Sequence, residues 1–110
     1  MTCNKFYIDE RERYNYAFYT FLADSDIQHL KTKVFCAFAV PDIEVVSGSK
    51  LKNFYFFDGH ISLEEPCEMG SLAHELAHHI QYVRTGQTKH YKPLLLLIGE
   101  VLNVCLPETI

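Results

Sequence analysis

Two neighbouring stretches decide the fold: Phe54-Tyr-Phe-Phe-Asp-Gly-His-Ile-Ser-Leu63, and Met69-Gly-Ser-Leu-Ala-His-Glu-Leu-Ala-His-His-Ile-Gln-Tyr-Val-Arg-Thr-Gly86. The first places Asp58-Gly59 between two apolar, β-rich runs, a strong short-range hairpin signal. In the second, Met69, Leu72, Ala73, Leu76, Ile80 and Val83 recur at helical spacing, and Gly86 supplies a stop. Glu65-Pro66 predicts the helix start, because proline is tolerated in a first turn and Glu64, Glu65 and Glu68 suit the positive end of the helix dipole.

Outward from this centre, Ile43-Glu-Val-Val46 is a short β-rich run between Pro41-Asp42 and Ser47-Gly48-Ser49, giving an expected antiparallel sheet of three strands. Residues 6–22 mix aromatics and charges without alternation and predict an amphipathic helix. Between them, Asp24 or Ser25 is positioned to cap a helix through Leu30, while residues 33–40 fit either the end of that helix or a strand. Pro93 opens a last helix, Leu94 to Cys105, apolar almost all round and therefore expected to be buried, with Pro107 ending it. The expected architecture is α+β: a small three-stranded antiparallel sheet packed with the His74–His78 helix and flanking helices, in one domain spanning 1–110.

The 110 residues are 48% hydrophobic, enough apolar material to bury a modest core. With 10 Lys+Arg against 14 Asp+Glu, the formal charge of −4 excludes a strongly basic nucleic-acid footprint. No run is long enough to cross a bilayer, and the first ten residues hold no apolar signal-peptide core. Cys3, Cys36, Cys67 and Cys105 are far apart with no C-x-x-C pair, which predicts free thiols in a reducing compartment. A soluble cytoplasmic chain is the expectation.

Chemistry concentrates in His74-Glu75-Leu76-Ala77-His78. Residues four apart on an α-helix lie one turn apart and about 40° around the axis, so both imidazoles reach one metal ion. Glu75 is turned about 100° from His74, near enough to address a water on that metal without ligating it. Two neutral nitrogen ligands and one carboxylate to take a proton are what metal-assisted hydrolysis requires. The apolar stripe and the His74, Glu75, His78 group fall on opposite sides of the helix, so one side anchors and the other offers ligands.

A third protein ligand is then needed. His90 is one candidate, since residues 86–90 can span up to about 16 Å and return the chain to the metal. Glu100 is the other, a lone acid in an apolar helix, where a carboxylate is costly unless paired or ligating. His79 sits on the helix flank and suits packing or support of a ligand. His60 reads as polar strand filler, His29 has no context, and Cys67 reads as a small apolar residue.

Three segments together resemble the SprT-like, Spartan-related metallopeptidases, H-E-x-x-H zincins: Gly59-His-Ile-Ser-Leu63, Leu72-Ala-His-Glu-Leu-Ala-His-His-Ile-Gln81 and His90-Tyr-Lys-Pro-Leu94. The resemblance covers roughly residues 43–105, and Tyr91 and Pro93 depart from the family's pattern after the third histidine. It implies a minimal zincin fold, Zn2+ as cofactor, His74, His78 and His90 as zinc ligands and Glu75 as general base. A second resemblance, to small zincins with a glutamate ligand on the next helix, points to Glu100 instead. The metzincin pattern is not followed, since its glycine would fall at Gln81 and its third histidine at Arg84.

The expected activity is zinc-dependent hydrolysis of peptide bonds, with a protein or peptide substrate and with Tyr82 or Tyr91 as a candidate donor to the oxyanion. A non-catalytic zinc-containing binding module is the alternative. DNA association is a weaker expectation, motivated by Lys31/Lys33, Lys50/Lys52 and Arg84/Lys89/Lys92.

Overall fold

The structure, a computed structural model, describes residues 19–105. Most of the helix expected over residues 6–22, together with Cys3 and the Pro107 stop, lies outside the described residues. The elements in order are β1 (Phe21–Leu22), α1 (Asp24–Phe38), β2 (Glu44–Gly48), β3 (Phe54–Phe56), β4 (His60–Glu64), β5 (Cys67–Glu68), α2 (Met69–Thr85) and α3 (Lys92–Cys105). This is a small α+β fold with three helices, a mixed three-stranded sheet and a two-stranded ladder among the described residues. None of these helices is long and apolar enough to cross a membrane.

The hairpin forms where Asp58-Gly59 places it. Phe56 pairs with His60 and Phe54 with Ser62, leaving a loop of Phe57, Asp58 and Gly59. Gly59 closes it at φ 97°, a left-handed backbone that glycine adopts without steric cost, and its N–H donates to the Phe56 carbonyl (3.1 Å). The sheet itself differs from the expected antiparallel meander. Its order is β2-β4-β3, and β2 runs parallel to β4, from Glu44 beside His60 to Gly48 beside Glu64. The physical reason lies in β4, whose Ile61, Ser62 and Leu63 are all buried, so it takes the centre and leaves β2 and β3 as the flanks.

Residues 24–38 resolve as one helix rather than helix and strand, because Ile27, Leu30, Lys31, Val34 and Phe35 share one buried face. Its N-cap is Ala23, not Asp24 or Ser25; the Asp26 carboxylate accepts the Ala23 N–H (3.2 Å), and Asp24 and Asp26 sit in the first turn. The buried Lys31 ammonium is held by the Asp42 carboxylate and the Ile43 carbonyl, both at 2.8 Å. The helix ends at Ala39 in the left-handed region (φ 54°), with Val40 N–H donating back to the Phe35 carbonyl (3.1 Å). A side chain there is strained and Ala39 is exposed, so Ala39→Gly is expected to stabilise the fold by about 0.5–1 kcal/mol, read as a raised denaturant midpoint at unchanged slope.

The segment expected as the end of an N-terminal helix is instead strand β1, which pairs Phe21 with Glu68 and Leu22 with Cys67. That ladder explains why α2 starts at Met69 and not at Glu65-Pro66: Cys67 and Glu68 are held extended, and the Met69 N–H donates to the Thr20 carbonyl (2.9 Å). Met69, Leu72, Leu76 and Ile80 are wholly buried, each contributing about 1.5–3 kcal/mol of apolar burial. Val83, expected in the same stripe, is exposed, because with Arg84, Thr85 and Gly86 it projects past the core. Helix α3 packs along α2 and α1 through Leu94, Leu97, Ile98, Val101 and Leu102 and is buried as expected, while Leu96 faces out. Among the described residues Cys36, Cys67 and Cys105 are free thiols.

Candidate metal centre

Helix α2 is enclosed. The side that carries His74, Glu75 and His78 faces a cleft of about 190 Å³, closed by Asn53, Phe54 and Tyr55 of the hairpin arm and by Thr88 and His90 of the loop after the helix. Gly86 makes that loop: at φ 73° it turns the chain out of the helix, and its N–H caps the Tyr82 carbonyl (2.8 Å). Four residues later His90 arrives beside the helical pair.

The three imidazoles converge on one point. His74 and His78 bring their Nε2 atoms to 3.1 Å, His78 and His90 to 3.1 Å, and His74 and His90 to 3.3 Å. A neutral ring nitrogen carries either one proton or one lone pair in the ring plane. Of three such atoms in mutual contact at least two are alike, so the triangle cannot be satisfied by hydrogen bonds among its members. A cation at its centre removes the conflict, since all three then present lone pairs. Three nitrogens bound at about 2.0–2.1 Å in a tetrahedron lie about 3.3–3.4 Å apart, close to the triangle seen. These are the residues that could hold a single metal ion.

Electrostatics favour the neutral, ligating forms. Burial, followed by the neighbouring His78 and His90 rings, lowers the His74 pKa to about 4. Burial also holds His78 below the usual range, with His90 adding to it and the Gln81 hydrogen bond opposing it. The His78 Nδ1–H donates to the Gln81 Oε1 (3.2 Å), which leaves Nε2 with its lone pair toward the triangle.

Glu75 is 6% exposed, lines the same cleft, and makes no hydrogen bond or ion pair with any described residue. A buried carboxylate without partners is expensive. Burial alone pushes its pKa up to about 7. A group held near neutrality beside a cluster of imidazole nitrogens is suited to moving a proton at ordinary pH.

The remaining sequence candidates lie elsewhere. Glu100 is exposed on α3 and does not line the cleft, so its carboxylate is solvated rather than buried in the apolar helix. His79 is buried away from the triangle, donating Nε2–H to the Pro41 carbonyl (2.8 Å) and accepting the Tyr55 hydroxyl at Nδ1 (3.0 Å). It ties α2 to β3 and to the α1–β2 loop. His60 stacks on Phe56 and pairs with Asp58 (2.7 Å). Cys67 is buried in β5 with its thiol pushed up to about 11, a neutral apolar filler. Neither tyrosine proposed as an oxyanion donor lines the cleft: the Tyr82 ring packs on Tyr55 and Phe57, and Tyr91 is exposed.

Four cleft residues and one buried polar side chain were not anticipated: Asn53, Phe54, Tyr55, Thr88 and Gln81. Gln81 was legible in principle, lying one turn beyond His78 on the ligand side of α2. The others are brought in by tertiary packing, with no local signal. No protein-family model, no curated protein and no solved structure matches this chain.

Proposed function

We propose that the chain is a zinc-dependent peptidase of the H-E-x-x-H type, in which His74, His78 and His90 hold the metal and Glu75 acts as general base. The observation that supports this most is Glu75, buried and without a partner among the described residues, beside three converging imidazoles. The resemblance of the helix to SprT-like enzymes points the same way. Zinc, when bound, supplies a Lewis acid for the scissile carbonyl and a water acidified to near neutrality.

The chain's own residues do the rest. Glu75 takes a proton from the attacking water and returns it to the leaving nitrogen, for which a pKa near 7 is suited. Among the described residues strand β3 pairs with β4 on one side only, and its residues Phe54 and Tyr55 wall the cleft. An extended peptide added to that open edge lies across the cleft mouth, held by main-chain hydrogen bonds that place no demand on its sequence. Free thiols among the described residues fit a reducing, cytoplasmic setting.

The test is metal analysis joined to a cleavage assay. Purified protein is expected to carry about one zinc per chain, to lose it on His74→Ala, and to cut an unfolded protein substrate such as casein. Zinc-free protein after zinc-supplemented purification, or cleavage that survives His74→Ala, would sink the reading.

A non-catalytic binding module is the second reading, supported by the outer face of the sheet. There Lys50, Leu51, Lys52, Phe54, Phe56 and His60 line an open groove of about 420 Å³. Aromatic faces beside lysines suit stacked bases of a single strand. Of the basic residues named in the sequence, Lys31 is taken up by Asp42 and Arg84 lies over the Phe38 ring (5.6 Å), whereas Lys50 and Lys52 line this groove. Retention of single-stranded DNA that falls with salt and with Lys50→Glu/Lys52→Glu supports this reading; no retention at low salt removes it.

A further inference from the structure

Gln81 bonds at one end to a member of the helical imidazole pair and at the other to the loop that carries His90. It is 4% exposed on α2. Its Oε1 accepts the His78 Nδ1–H (3.2 Å), and its Nε2 donates to the Lys89 carbonyl (2.8 Å), one peptide before His90. The loop it reaches is otherwise exposed at Gly86, Gln87, Lys89 and His90. Its first residues are tied down in the same neighbourhood: the Thr85 hydroxyl donates to the Gln81 carbonyl (2.8 Å) and accepts the Gln87 N–H (3.2 Å).

We propose that Gln81 is the positioning residue that assembles the metal centre, fixing the ring tautomer of His78 with one end of its amide and the approach of His90 with the other. The proposal rests on the zinc-site reading for its consequence and on geometry for its mechanism. One planar amide does both because it carries an acceptor and a donor side by side, a pairing that a carboxylate or an ammonium does not offer. The Lys89 carbonyl fixes the amide's orientation, since exchanging Oε1 and Nε2 would set two acceptors against each other there. Gln81 therefore selects the His78 form whose Nε2 lone pair faces the metal. It also removes the freedom of the His90 loop before metal arrives, which lowers the entropic cost of closing the third ligand.

The experiment compares wild type with Gln81→Met, which keeps the volume and removes both hydrogen bonds, and with Gln81→Ala, which removes both. Three readouts are taken: amide hydrogen exchange at Thr88, Lys89 and His90 in metal-free protein, the His78 tautomer from ring nitrogen shifts, and zinc affinity by competition with a chromophoric chelator. Both variants are expected to exchange faster across the loop, to lose the single Nδ1–H form of His78, and to bind zinc about 10–100-fold more weakly. A purely space-filling role would leave Gln81→Met like wild type. Affinity within twofold of wild type with unchanged loop exchange in Gln81→Met overturns the proposal. If Gln81→Met does not fold, the same two readouts on Gln81→Ala decide. A wild-type chain that takes no zinc overturns the metal-centre reading, whereas the metal-free exchange comparison still decides whether Gln81 holds the loop.

Discussion

Replacing Glu75 with glutamine is expected to reduce peptide cleavage by about 10²–10⁴-fold while leaving the zinc content unchanged. The amide fills the space of the carboxylate and cannot accept a proton, so the loss falls on turnover rather than on substrate affinity. The same substitution should make the metal-free fold more stable. Burial raises the Glu75 pKa from an unfolded value of about 4.3 to about 7. A carboxyl group raised in the folded state stabilises it only while protonated, so its contribution is present at low pH and is lost as pH rises through 7. Above pH 7 the metal-free wild type therefore carries a penalty on the order of 3–4 kcal/mol that the Glu75→Gln variant lacks. Below about pH 4 the two proteins should converge.

His74 works in the opposite sense over the same range. Its folded pKa is lowered to about 4, so its contribution is present above the unfolded value near 6.5 and is lost as pH falls through 4. In the metal-free wild type the two slopes oppose each other. In Glu75→Gln the His74 slope is no longer opposed by Glu75, and thermal midpoints should rise more steeply between pH 4 and 6.5. Parallel midpoint profiles for the two metal-free proteins would show that Glu75 is not held near neutrality.

The second large effect is the response to metal. Zinc at 1,000 times its dissociation constant stabilises a fold that binds it only when native by about 4 kcal/mol. In a chain of this size that is a rise of about 15–30 °C in the thermal midpoint. His90→Ala is expected to remove most of this shift at the same zinc concentration, because losing a ligand costs more than the about 10–100-fold that an outer partner is worth. Glu100→Gln is expected to leave the shift intact, since that side chain is exposed and outside the cleft. The reverse pattern, with Glu100 required and His90 dispensable, would move the third ligand to α3.

The parts legible in the sequence were those fixed by local rules. Asp58-Gly59 requires a turn whatever surrounds it, and the Leu72, Leu76 and Ile80 spacing admits only a helix. His74, Glu75 and His78 follow from that helix, because four residues are one turn. What escaped the sequence depended on partners far along the chain. The central place of β4 follows from how thoroughly it is buried, and the start of α2 from a two-residue ladder with Phe21 and Leu22. The choice between His90 and Glu100 turned on which of them tertiary packing delivered to the cleft. Periodicity carries no information about that.

The His90 loop has one more implication, for when the protein becomes competent. Two of the three imidazoles share a helix, but the third reaches them only around the turn at Gly86, with α3 docked behind it. A chain still emerging from the ribosome, or one in which that loop has melted, holds an incomplete set of imidazoles. Under the proposed activity, a nascent copy is harmless to its neighbours and to itself until α3 is seated.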